Sequence, residues 1–143
     1  MLRSLVGSEM CIRDSYSAVR SDQNELADPN NATSTELGKK VYDQHCASCH
    51  GGNLEGQESW WIRNSEGKLP APPHDETGHT WHHSDAVLFK LTKDGIQSIA
   101  GPDYPTDMIA YADVLSDEEI WAVIAFIKST WHKEIQEIQK NAQ

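Results

Sequence analysis

The sequence predicts an all-α domain of three to four helices, and three observations carry that prediction. Apolar residues recur three and four apart in three separate stretches, each entered through a Ser or Thr able to cap a helix. No stretch shows the convincing period-two alternation of a half-buried strand. No segment repeats another, which excludes a solenoid.

The chain opens on MLRSLVGSEMCIRDS, which lacks the order of charged, apolar and cleavage regions found in a signal peptide. It is similar to a translated sequencing-adapter read-through, so residues 1–15 are expected to be an artefact outside the native fold. Without them two cysteines and one methionine remain, and the net charge stays at −10 because Arg3, Arg13, Glu9 and Asp14 cancel. Residues 16–32 are polar, carry an Asp-Pro-Asn-Asn breaker and read as a flexible lead-in.

The folded domain is expected over 33–132. Thr33-x-x-Glu36 has the form of a capping box, and Leu37 and Val41 follow at helical spacing. This first helix is expected to run straight into Cys46-Ala-Ser-Cys49-His50 and to stop at Gly51-Gly52. Residues 51–83 hold glycines, Pro70, Pro72 and Pro73 and little periodicity, which predicts a long loop; so long a loop in a small domain needs something to wrap. Ser84 caps a second helix with Val87, Leu88 and Leu91 on one face and Gly95 as its stop. A loop broken by Pro102 and Pro105 leads through Met108. Ser116-x-x-Glu119 then opens the last main helix, whose apolar stripe is Ile120, Val123, Ile124, Ile127 and Trp131. Ile135 and Ile138 extend that stripe into 133–143, a C-terminal helical extension or tail.

Composition narrows the function. Hydrophobic residues are 38% of 143, a lean supply for a domain that small, and such domains often need a metal or cofactor as a staple. No apolar run reaches the ~18–20 residues of a membrane helix. With 12 basic and 22 acidic residues the balance argues against nucleic-acid binding and for basic partner surfaces.

Cys46-x-x-Cys49-His50 places two thiols three apart at the end of a helix, with an imidazole directly after them. Each thiol can add to a vinyl group of haem while the histidine presents a ring nitrogen to the iron. Two rivals remain open. A dithiol redox pair would need a strand–helix frame, which the sequence lacks. A zinc site from Cys46, Cys49, His79 and His83 has finger-like His spacing, but 29 residues separate Cys49 from His79, against about 12–15 in ordinary fingers.

For the sixth iron ligand, Met108 is favoured as the one methionine beyond the adapter-like segment, in a Pro-bounded loop rather than on a helix face. A thioether opposite an imidazole suits a carrier of raised potential. His79, His82 and His83 are the alternatives, and their ordinary reading is a polar surface turn before Ser84.

With these segments in place, residues 34–132 resemble a class I cytochrome c. The resemblance implies a fold in which the helices wrap one covalently bound haem c and the N- and C-terminal helices cross. Gly38 and Tyr42 match the family's crossing positions on the first helix, and Ala125-Phe126 the partner segment. Ala71-Pro72-Pro73-His74 is similar to the family's Pro-x-Leu step, which implies that the Pro72 carbonyl accepts from the axial histidine. His74 stands where the family usually has an apolar residue, and Ile109-Ala110-Tyr111 where many relatives have Pro-Ala-Phe. Gly78-His-Thr-Trp-His-His83 is similar to a subgroup of bacterial single-haem cytochromes.

The expected function is single-electron transfer without catalysis, by a His50/Met108-ligated iron in a monomer that docks on redox proteins. The alternatives are a haem enzyme or gas sensor with a labile sixth ligand, and the electron-entry domain of a larger membrane oxidase or dehydrogenase. Covalent haem attachment implies the periplasm or the outer face of the cytoplasmic membrane. Whether a lost N-terminal piece was cleaved or stayed as an anchor is open.

Overall fold

The computed structural model describes residues 26–143. The adapter-like segment 1–15 and residues 16–25 of the lead-in lie outside them. Six α-helices and no strand are found among the described residues. They are α1 (Ala32–His45), α2 (Ala47–His50), α3 (Asp85–Asp94), α4 (Gln97–Ala100), α5 (Asp117–Ser129) and α6 (Lys133–Asn141), with a 3-10 turn at Thr80–His82.

The first helix starts earlier than its sequence signal. Asn31, not Thr33, is the cap: its side chain accepts from the Ser34 N–H at 3.1 Å, which places Thr33 inside the first turn. The end of the lead-in belongs to the fold as well. Ala27 is fully buried, and its carbonyl accepts from Lys128 Nζ at 2.8 Å.

The core is the crossing of α1 and α5, which pack more extensively than any other pair of described helices. Close approach requires Gly38, since a Cβ there would sit 1.9 Å from the Ala122 carbonyl oxygen and 2.8 Å from Phe126 Cβ. The Tyr42 and Phe126 rings meet one turn along, centroids 5.5 Å apart. Phe126 is therefore at the crossing as the resemblance implied, while the backbone nearest Gly38 is that of Ala122 rather than Ala125. Val41, Ile120, Val123, Ile124, Ile127 and Trp131 fill the interior, each large side chain contributing about 1.5–3 kcal/mol by leaving water.

The box at Ser116 forms as its sequence indicates. Glu119 N–H donates to Ser116 Oγ at 3.2 Å and Ser116 N–H to Glu119 Oε1 at 3.0 Å. α3 is capped by Ser84, whose Oγ accepts from Val87 N–H, and it ends at Gly95.

The C-terminal stripe does not continue unbroken. α5 ends at Ser129 and α6 restarts at Lys133, so the helical register is lost between them. Ile135 still packs on the core, but Ile138 is half exposed and Gln139 is buried instead. A polar clamp replaces the apolar contact. Gln139 Nε2 donates to Asp85 Oδ1 at 2.7 Å and to the His83 carbonyl at 3.1 Å, and Asp85 Oδ2 pairs with Lys128 Nζ at 2.9 Å. Asp85, Lys128 and Gln139 are all buried, so the pair is kept from solvent on every side by the three helices that supply it.

Candidate functional site

The thiols sit where α1 gives way to one further turn. Cys46, at φ −117° and ψ −38°, marks the join, and the chain runs on through the motif. Bonds across the join keep the two in line, with Cys46 N–H donating to Tyr42 O and His50 N–H to Cys46 O, both at 2.9 Å. Positions three apart on a helical turn share a face, which puts Cys46 and Cys49 side by side. Both thiols are free; Cys49 is exposed and Cys46 half-buried. Burial, and then the neighbouring Cys49, push the Cys46 thiol up to about 11. A redox dithiol would need a strand–helix frame, and no strand is found among the described residues.

His50 is buried at the end of α2, and Gly51 turns the chain away. The turn is fastened to α1 by the Tyr42 hydroxyl, which donates to Gly51 O at 2.8 Å. His50 Nδ1 lies 2.8 Å from the Pro72 carbonyl. A carbonyl only accepts, so Nδ1 carries the proton and Nε2 keeps its lone pair. Burial lowers the His50 pKa, against the opposing effect of the Pro72 bond, and so favours the neutral ring. A neutral imidazole with one nitrogen committed and the other free is the form that binds a metal.

The Pro72 carbonyl is aimed by its own surroundings. A Cβ on Gly56, whose φ is +69°, would lie 2.4 Å from Pro73 N and 2.7 Å from Pro72 C, so only glycine lets the loop close on this step. Gln57 N–H donates to Ala71 O at 2.8 Å, and Gln57 Oε1 accepts from Ala71 N–H at 2.9 Å. Downstream, His74 N–H donates to Leu54 O at 2.9 Å and the Trp131 indole donates to His74 O at 2.8 Å. The His74 ring stacks on His50, centroids 4.0 Å apart and planes at 30°. Burial, and then the adjacent His50, hold His74 down to about 3, so it too is neutral.

Met108 is half-buried in the loop between α4 and α5, its N–H donating to Thr106 Oγ1 at 3.1 Å. That loop is tied to the thiol segment by the Tyr111 hydroxyl, which donates to His45 O at 3.0 Å. Lys68 bridges it to the long loop through Asp107 at 2.6 Å. His79 and His82 stand exposed and pack edge to face, 5.3 Å between centroids, with Trp60 beside His79 and Trp81 stacked on His82. Among the described residues no three His, Cys, Asp or Glu side chains come close enough to hold a metal ion, so the zinc site from Cys46, Cys49, His79 and His83 does not assemble.

The donors present fit a covalently held haem. Two free thiols share a helical turn, and an imidazole with its tautomer set follows at once. The sequence reading missed the Gly56 closure, the Trp131 anchor and the Tyr111 tie. Gly56 carried a faint signal, as a lone glycine in a loop that must approach backbone. The other two join residues 57 and 66 apart, which no local pattern reports.

No curated protein and no solved structure matches the chain. The family model for Cytochrome c matches residues 35–131, from the first turn of α1 to the end of the crossing helix, well over half of the chain. Members of that family bind haem c covalently, with its iron, and serve as electron carriers. With its paired thiols, set imidazole and glycine-mediated helix crossing inside the matched residues, the chain belongs to the cytochrome c family.

Proposed function

We propose that the protein is a non-catalytic single-electron carrier of the class I type, in which Cys46 and Cys49 would bind one haem c and His50 and Met108 would ligate its iron. The observation that supports this most is the 2.8 Å bond from His50 Nδ1 to Pro72 O, which leaves Nε2 free on the residue that directly follows Cys49. Bound there, the haem supplies reversible one-electron iron chemistry; the chain supplies ligation, burial and orientation. Cys46 and Cys49 would hold the group in place, Pro72 would raise the basicity of His50, and Met108 would close the sixth position with a soft donor that favours the reduced iron. With His50 and Met108 both serving as ligands, the chain would leave no open metal position for a substrate. The protein works as a monomer in the periplasm, or on the outer face of the cytoplasmic membrane, and exchanges electrons with proteins that offer a basic surface.

The optical spectrum tests this against the enzyme or sensor reading. The carrier is expected to be low-spin in both oxidation states, to show a methionine–iron band when oxidised, and to ignore added carbon monoxide. A high-spin spectrum, or one that responds to carbon monoxide at once, contradicts it.

A further inference from the structure

The position two residues after Pro72 holds a histidine where an apolar side chain would fill space at no polar cost, and this one is fixed at four points. Its N–H donates to Leu54 O at 2.9 Å and its carbonyl accepts from the Trp131 indole at 2.8 Å. Its Nδ1 shares a 2.7 Å hydrogen bond with the hydroxyl of Thr80, itself buried. Its ring face lies on His50, with centroids 4.0 Å apart and planes at 30°. A half-buried polar ring costs stability unless it is partnered, and Thr80 supplies the partner. The bond that satisfies the ring also stops it turning about its side-chain axis.

His50 needs such a neighbour. The Pro72 bond fixes the tautomer of its ring and restrains it in the plane at Nδ1. A flat surface against its face adds a restraint out of that plane.

We propose that His74 is a positioning residue that sets the plane of the His50 ring, with Thr80 locking His74 in turn; this rests on the reading of His50 as an iron ligand. Pro72 fixes the tautomer, the basicity and the edge of the ligand ring, and His74 backs its face. A leucine in the same slot fills the volume without defining a plane.

The plane of an axial imidazole governs the spread of g values of low-spin ferric haem and the shift pattern of the haem methyl protons. Both report orientation independently of electron-transfer activity. Paramagnetic resonance and proton spectra are recorded on the holoprotein and on His74→Leu, His74→Phe, Thr80→Val and His50→Gly. His74→Leu and Thr80→Val are expected to keep covalent haem and a low-spin iron while shifting the g values and methyl pattern. His74→Phe, which keeps a ring on His50, is expected to return the pattern towards the parent. Parent-like spectra in both His74→Leu and Thr80→Val overturn the proposal. If His74→Leu fails to load haem, Thr80→Val decides by the same criterion. Failure of both to fold also counts against it, because orientation rather than stability is the role assigned. A His50→Gly holoprotein with the parent's spectrum overturns the ligand reading itself, whatever the His74 variants show.

Discussion

At the scale of single residues, the imidazole donor is prepared by neighbours that the chemistry itself does not use. Tyr42 fastens the turn behind His50, Pro72 fixes its tautomer, and Leu54 and Trp131 hold the backbone that follows Pro72. The thiols have no comparable support, and their value lies in the bonds they can form. Replacing Cys46 and Cys49 together with Ala is therefore expected to leave a chain whose intact mass carries no haem. Because the core is lean, binding and folding free energy are shared, and that chain should lose cooperative unfolding. A double variant that melts cooperatively near the parent's temperature would contradict this. The donors themselves were legible from the sequence, since Cys46, Cys49 and His50 form one contiguous string. Pro72 was reachable only through resemblance, because it lies 22 positions beyond His50 and no periodic pattern sets that separation.

At the scale of elements, the helices explain what sequence patterns report and what they omit. The stripe from Ile120 to Trp131 and the box at Ser116 are local, and both were readable. The start of α1 at Asn31 was not, because Thr33-x-x-Glu36 offers an equally good box two residues on and only the docking of Ala27 decides between them. The break between α5 and α6 was equally hidden, since isoleucines at helical spacing run across it while the buried contact belongs to Gln139. Two variants test the elements. Gly38→Ala puts a methyl 1.9 Å from the Ala122 carbonyl, so the helices must separate, at a cost of about 1–3 kcal/mol. Gly52→Ala, with nothing within 4 Å, is the control and should be near neutral. Denaturant melts of the two holoproteins compare them directly. The second variant concerns pH. Ser116 backbone and side chain, bonding to Glu119, hold its carboxyl below the usual carboxylate range. A carboxyl depressed in the folded state stabilises above its unfolded value and loses that contribution as pH falls through the folded one. Melting temperature should accordingly decline less steeply below about pH 4.5 in Glu119→Gln than in the parent; identical slopes would show that the box contributes nothing.

At the scale of the whole molecule, three polar ties join parts that are distant in sequence: Tyr111 to His45, Trp131 to His74, and the Lys128–Asp85–Gln139 clamp. The first two draw the Met108 loop and the crossing helix toward the same short stretch around His50. The lean composition signalled that a cofactor was needed, yet it said nothing of these ties, which depend on tertiary placement. Charge is the other global property. With a net charge of −10, the proposed docking on basic surfaces would be electrostatically steered, and exposed charges are screened beyond ~8–10 Å at physiological salt. Electron transfer to a basic redox protein, followed by stopped flow, is expected to slow as ionic strength rises. A rate independent of salt would reduce the acidic surface to a role in solubility.

The central claim, an iron closed on both sides by His50 and Met108, is tested most directly by the spectrum and reduction potential of Met108→Ala. The loop keeps Pro102, Pro105 and the Tyr111 tie, so the change falls on the sulfur alone. The methionine–iron band is expected to disappear and the iron to become high-spin, or to be taken by water or by one of His79, His82 and His83. The potential should fall, because those donors stabilise ferric iron better than a thioether does. An unchanged spectrum and potential would make Met108 a packing residue and leave the sixth ligand to His79, His82 or His83.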